Sequence, residues 1–315
     1  MKAGRNKTID ISVYEGKAYL CQCLGKDALL EGTAFVDKTI CGDTFEILPL
    51  LPEKFVDLLI ADPPYNLDKD FNGNKFKQMD DETYAAYTDS WLKSVLPLLK
   101  ENASVYVCCD WQSSPVIMGV MKKYLTIRNR ITWQREKGRG ARSNWKNGME
   151  DIIFGTVSGT YTFNVDAVKI RRRVVAPYRL EGKPKDWEET AQGNFRNTCP
   201  SNFWDDISIP YWSMAENTAH PTQKPEKLLA KLILASSNAG DMVFDPFLGS
   251  GTTSVTARKL DRHYLGIEQN PQYCVWAEKR LEEAGRNPAI QGYAQGVFWE
   301  RNTAHFQKSV KQKES

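Results

Sequence analysis

Apolar positions along the chain form two regular blocks separated by a stretch without regular pattern. In the first block, residues 38–41, 56–61 and 103–108 are short apolar runs with the length and punctuation of buried strands. Between the last two, Tyr84, Tyr87, Trp91, Val95 and Leu98 recur at helical spacing, which predicts a helix over 82–99 with one face in a core. Residues 126–135 and 150–155 read as two further strands. The second block begins at 225. A helix over 225–237 opens on Pro225, a favoured first-turn residue, and turns Leu228, Leu229, Leu232 and Ile233 to one side. A strand at 241–245, a helix at 250–259, a strand at 263–267 and a helix at 271–284 follow. Residues 155–219, between the blocks, are rich in Arg, Asn, Trp, Pro and Gly and have few periodic runs.

Strands alternating with helices in both blocks predict an α/β fold: a doubly wound, mostly parallel sheet with helices on both faces and an inserted region. The expected divisions are an extension at 1–37, a first half at 38–154, an insert at 155–219, the second half of the same domain at 220–284 and a surface tail at 285–315. A chain of 315 residues, 41% hydrophobic, is long enough to bury the core of one such domain. No apolar run approaches the ~20 residues of a membrane span. The start, "MKAGRNKTIDIS", lacks the apolar centre of a signal peptide. A cytoplasmic protein without membrane contact is therefore expected. The seven cysteines form no CxxC pair and do not sit at metal spacing with the three histidines, so they read as reduced thiols with no metal site.

Net charge is only +3, but it is unevenly spread. Between Arg128 and Lys146 there are seven Lys and Arg against one acid, Glu136, and a second cluster, "KIRRR", covers 169–173. Two basic patches on a nearly neutral chain suit a polyanion bound on one face, or simply a solvated charged surface.

Chemistry enters at the strand ends. "FDPFLGSGTT" places an acid, Asp245, and a GxG turn, Gly249 and Gly251, between a strand and a helix start. Glycines let the backbone turn tightly and approach a ligand closely. Glu268 ends the next strand, 17 residues after Gly251, where an acid can hold ribose hydroxyls. There is no GK[ST], so this is not a nucleotide-hydrolysing loop. Position 254, which the dinucleotide pattern reserves for a third glycine, is Ser254, and no cation lies near the turn before Arg258. A ribose- and adenine-bearing cofactor without phosphate fits best, and S-adenosylmethionine is the candidate. A dinucleotide-dependent oxidoreductase would use the same turn but leaves "IADPPYNLDK" and the basic insert without a role. A DNA-binding module without catalysis would use only the basic patches.

"DPPY" at 62–65, "FLGSG" at 247–251 and "HPTQKP" at 220–225 together resemble the amino-DNA methyltransferases. The catalytic motif precedes the cofactor motif, which is similar to the permuted order of that family's beta group. The resemblance implies a seven-stranded methyltransferase-type sheet, S-adenosylmethionine as cofactor and double-stranded DNA as substrate. It implies Asp62, Pro63, Pro64 and Tyr65 as catalytic residues. Asp62 and the Pro63 carbonyl would accept the hydrogens of an exocyclic amine, Pro64 would stiffen the turn, and Tyr65 would stack on an extruded base. It implies Asp43, Asp62, His220, Thr222, Lys224, Asp245, Phe247, Gly249, Ser250, Gly251 and Glu268 around the cofactor, with Lys224 pairing its carboxylate. The acid in DPPY favours adenine N6 over cytosine N4, and no "PCQ" motif of a C5-cytosine enzyme is present, since Cys199-Pro200 has the reverse order. The segment 67–80 suits a mobile loop that orders on DNA. Lys137, Arg139, Arg142, Trp145, Lys146, Arg171 and Arg172 are candidate DNA contacts. In this resemblance 38–154 is the catalytic half, 155–219 the target-recognition region and 220–284 the cofactor half. A cognate restriction endonuclease and a homodimer are the further partners it brings with it.

Overall fold

The computed structural model describes residues 6–71, 73–135, 143–174, 178–191, 193–301 and 303. One sheet organises them. Its strands are β1 (Lys38–Cys41), β2 (Val56–Ala61), β3 (Leu99–Cys109), β4 (Thr126–Gln134), β5 (Met149–Thr156), β6 (Phe203–Trp204), β7 (Met242–Asp245) and β8 (His263–Glu268). Their spatial order is β1-β8-β7-β2-β3-β5-β4-β6. Only β5 runs against the rest: it pairs antiparallel with β3 and with β4, and every other pairing is parallel. Seven strands were expected, and the eighth, β6, is a two-residue edge contributed by the insert.

The five longer helices are α1 (Asp81–Val95), α2 (Ser114–Met121), α3 (Glu226–Ser236), α4 (Thr252–Lys259) and α5 (Pro271–Arg286). They divide between the two faces of the sheet. Trp91, Leu92 and Val95 of α1 and Ile117, Val120 and Met121 of α2 pack with Leu59, Val105, Phe244 and Leu265. Leu228, Leu229, Leu232 and Ile233 of α3, Val255 of α4 and Leu281 of α5 pack with Leu58, Ile60, Tyr106 and Val243 on the other side. Leu58 and Ile60 face one core and Leu59 the other, the alternation that a strand buried on both sides must show.

The predicted helix over 82–99 stops sooner. The α-helix ends at Val95, a 3-10 turn carries Leu96–Leu98, and β3 begins at Leu99. Pro97 gives the physical reason, because it has no amide to continue the ladder. The insert is also more ordered than its composition suggests. Gly193–Thr198 lies between Glu188–Thr190 and Ile170–Arg173 in a second, five-stranded sheet. The remaining two strands, Val297–Trp299 and Tyr293–Ala294, come from the segment expected to be a surface tail. Phe298 is fully buried and packs on Ala230, Leu234 and Ala235 of α3. This part of the tail is therefore a structural link between the insert and the main domain. The N-terminal extension also packs inward: Gln272 and Trp276 of α5 donate side-chain hydrogen bonds to the Ile11 carbonyl at 2.7 and 3.0 Å. Among the described residues, no helix is long and apolar enough to cross a membrane.

Replacing Phe298 with Ala should cost about 3–5 kcal/mol of unfolding free energy, as a buried aromatic does. Urea denaturation would show this as a lower midpoint; an unchanged midpoint would mean that 293–299 does not dock.

Candidate active site

The parallel strands β1, β8, β7 and β2 end on one rim, and a cleft of about 230 Å³ opens along their carboxyl ends. Each strand delivers its next residues into that cleft. After β1 comes Asp43, which caps the short helix Thr44–Ile47 by accepting from the Phe45 amide at 2.8 Å. β8 brings Glu268 and β7 brings Asp245, Phe247, Gly249 and Ser250. Asp62, Pro63, Pro64 and Tyr65 follow β2, and His220, Thr222 and Lys224 come from the approach to α3. Gly251 stands behind the turn as the cap of α4.

The glycine turn needs its glycines. Gly249 and Gly251 have φ of 57° and 85°, in the left-handed region. A Cβ on Gly249 would come within 3.1 Å of His220 Nε2, and one on Gly251 within 2.6 Å of Ala277 Cβ. The Asp245 carboxylate holds the turn open, accepting from the Phe247 amide at 2.9 Å and from Thr253 Oγ1 at 2.6 Å. Arg280 fixes it from below by donating to the Ser250 carbonyl at 2.8 Å. Glu268 accepts from the amides of Gly249 and Asn270, both at 2.8 Å. Burial pushes the carboxyls of both Asp245 and Glu268 up to about 7. Phe247 sets its ring edge-on to Trp91, 5.4 Å between centroids. His220 accepts from the Thr222 amide at Nδ1. Burial, with help from the Lys224 charge, holds its imidazole down at about 3, so the ring is neutral.

Charge is concentrated around Asp62. Its Oδ2 accepts from Lys224 Nζ at 2.7 Å and its Oδ1 from the Tyr65 hydroxyl at 3.0 Å. Glu150, from the start of β5, reaches the same two groups: Oε2 lies 3.2 Å from the Tyr65 hydroxyl and 3.3 Å from Lys224 Nζ. Its Oε1 accepts from Arg135 at 2.5 Å. A buried acid, Glu150, and a partly buried one, Asp62, thus meet two cations. Burial alone would strip Lys224 of its proton, but Asp62 and Glu150 outweigh it and hold the ammonium above its usual range. Burial, then the same two carboxylates, raise the Tyr65 hydroxyl well above its own.

The segment after Tyr65 is a hairpin, Lys69–Phe71 with Asn74–Phe76, where a mobile loop was expected. Asn66 staples its base, donating to the Met79 carbonyl at 2.8 Å and accepting from the Met79 amide at 2.7 Å. Phe76 packs against Tyr84 and Tyr87 of α1, so the hairpin walls the cleft with Leu67, Lys69 and Lys75.

The family described as DNA methylase matches this chain over residues 56–279. This chain belongs to the DNA methylase family. It is 35% identical over 264 residues to the DNA adenine methyltransferase YhdJ of Escherichia coli, covering 80% of this chain and 85% of that one. It is 32% identical over 248 residues to the type II methyltransferase M.HpaI of Haemophilus parainfluenzae, covering 78% and 74%. Among solved structures, the cytosine-N4-specific PvuII DNA methyltransferase superposes with a TM-score of 0.59 at 17% identity, covering 80% of this chain and 92% of that one. The M1.HpyAVI complex with its SAM superposes with 0.53 at 23% identity, covering 77% and 98%. At these identities the superpositions establish the shared fold.

In this methylase the predicted cofactor and catalytic residues share one cleft, while the predicted DNA contacts are dispersed. Lys137, Arg139 and Arg142 lie outside the described residues. Trp145, 93% exposed, and Lys146 lie between β4 and β5, on the rim that carries Asp62. Arg171 is committed elsewhere: it bonds Glu188 at 2.8 Å and lies over the rings of Phe195 and Trp299. Arg172 pairs with Glu300. These two arginines hold the second sheet together. Lys224 lines the cleft with its ammonium paired to Asp62 and Glu150. Glu150 escaped the sequence reading, and Arg135 was counted there only as a member of the basic cluster at 128–146. The only signal for Glu150 was a pair of acids opening an otherwise apolar strand, "MEDIIF", where solvent exposure is the ordinary reading.

The G251A variant should lose about 2–4 kcal/mol of stability, combining left-handed strain with the clash against Ala277. Thermal unfolding checks this, and an unshifted midpoint would show that the turn tolerates a side chain.

Proposed function

We propose that this chain is a site-specific DNA methyltransferase that moves a methyl group from S-adenosylmethionine to the exocyclic N6 of adenine in duplex DNA. The observation that carries this reading is the single cleft shared by the Asp62–Tyr65 turn and the glycine turn. The residues present suit the cofactor. Gly249 leaves space beside His220 that a Cβ would crowd, Glu268 ends its strand as a ribose acceptor should, and Phe247 offers an apolar face. When bound, the cofactor supplies a methyl group on a positively charged sulfur.

The target amine is a poor nucleophile because its lone pair is delocalised into the ring. It is also paired within the duplex, so the base must leave the stack first. Asp62 and the Pro63 carbonyl accept the amine hydrogens and turn the lone pair toward the methyl. Both acceptors are fixed in place before the reaction, and they stabilise the positive charge that grows on nitrogen. Nitrogen gains the methyl as the carbon–sulfur bond breaks, with that bond's electron pair left on sulfur. The proton that nitrogen sheds passes to Asp62 and on to water. No protein nucleophile takes part.

Adenine is favoured over cytosine N4 by the acid at Asp62 and by a relative named as a DNA adenine methyltransferase. The type II naming of M.HpaI supports a cognate endonuclease as a partner in the cell. DNA incubated with the protein and labelled cofactor should yield N6-methyladenine on nucleoside analysis; N4-methylcytosine alone would overturn the choice of base. D62A should lower methylation by about 10²–10⁴-fold while duplex affinity stays within a few-fold. Below pH 7 the buried Glu268 takes up a proton and loses its capacity as a ribose acceptor. Cofactor affinity should therefore weaken about tenfold from pH 8 to pH 6, and E268Q should flatten that slope. Calorimetric titration across pH measures both, and a flat wild-type profile would remove Glu268 from the ribose site.

A further inference from the structure

The Asp62 carboxylate is already engaged in the resting site. Asp62 must accept hydrogens from an incoming amine, yet one of its oxygens holds the Lys224 ammonium and the other the Tyr65 hydroxyl. An ammonium 2.7 Å from Asp62 would also repel the positive charge that develops on the amine. Moving both groups aside as the base enters would free the two oxygens fully and remove that repulsion. Each is already within reach of one other acceptor, Glu150 Oε2, at 3.2 Å from the hydroxyl and 3.3 Å from Nζ. A hydroxyl has one hydrogen to give, so Tyr65 serves one carboxylate at a time. A shift of about half an ångström would bring Lys224 to ordinary hydrogen-bonding distance of Glu150.

Glu150 is built to receive them. It is 5% exposed on a strand of the main sheet, and Arg135 anchors its other oxygen. Arg135 directly follows β4, and its amide donates to the Gly148 carbonyl at 2.7 Å, just before β5. Among the described residues, Lys224 has no carboxylate partners except Asp62 and Glu150.

We propose that Glu150 is a positioning residue for methyl transfer: it takes the Tyr65 hydroxyl and the Lys224 ammonium from Asp62 as the target amine arrives. The inference rests on the proposed function and adds the step that makes Asp62 available. A mere counter-charge for Lys224 would affect stability and cofactor binding. A receiver affects the transfer step itself. Without the charge at 150, Lys224 keeps Asp62 as its sole ion-pair partner and the catalytic carboxylate stays occupied.

The test is single-turnover methylation by the full chain at saturating S-adenosylmethionine and duplex, comparing wild type, E150Q and E150D. Cofactor affinity by calorimetry, folded fraction by circular dichroism and base extrusion by 2-aminopurine fluorescence are measured in parallel. E150Q should slow transfer by at least about tenfold, with cofactor affinity and extrusion within twofold of wild type. E150D retains the charge on a shorter arm and should recover part of the rate. The proposal is overturned if E150Q transfers at the wild-type rate. It is equally overturned if the variants lose rate only in proportion to lost cofactor affinity or folded fraction. Wild-type protein that methylates no DNA is a different outcome, and it would refute the proposed function itself.

Discussion

Two strands far apart in sequence, β2 and β7, lie side by side and parallel, with Val243 opposite Leu58 and Phe244 opposite Leu59. Everything at the site follows from that pairing. Parallel neighbours end on the same rim, so the turn after Ala61 and the turn after Asp245 open into one cleft. The register is firmly held. Leu58 and Ile60 belong to one core and Leu59 to the other, so a slip of one residue would exchange the faces of the whole strand. It would also carry Asp62 off the rim. Position at the catalytic centre is thus a consequence of burial in the sheet.

Once the strands deliver the residues, electrostatics decides their state. Asp62, Glu150, Lys224 and Arg135 form a balanced set in which every charge has an opposite within hydrogen-bonding distance. An unpaired buried charge would cost several kcal/mol, so buried Glu150 and Lys224 depend on their partners most. The same logic explains why the two acids at the glycine turn behave differently. Glu268 and Asp245 receive only backbone amides and a threonine hydroxyl, and burial drives both toward neutrality near pH 7. The cleft therefore has a strongly charged end, where the amine would be gripped, and a weakly charged end, where sugar and adenine would lie.

Much of this was legible in the chain, because strand-end motifs carry their address with them. The apolar runs at 38–41 and 56–61 are strands β1 and β2 with those boundaries, and an acid or a glycine turn directly after such a run points to the rim. The second sheet was not legible. Its strands are short, and Val297–Trp299 pairs with Ile170–Arg173 across more than a hundred residues, which no local period records. α3 looked amphipathic but is buried on every side. Lys227 and Lys231 are hidden by pairing with Asp206, and Glu226 by pairing with Lys259 and Arg280. α2 carries Pro115 and Gly119, which obscure its helical signal. Glu150 went unseen because its partners come from the residue after β4, the β2 turn and the approach to α3, and only the fold assembles them.

The most direct test is a crystal structure of the chain with S-adenosylhomocysteine and a duplex carrying its methylation site. The account predicts the cofactor's sulfur beside the turn after Ala61, with an extruded adenine whose N6 donates to Asp62 and to the Pro63 carbonyl. Lys224 and the Tyr65 hydroxyl should then rest on Glu150. An adenine seated in the cleft while Asp62 still holds both of them, or a cofactor bound away from the glycine turn, would contradict it.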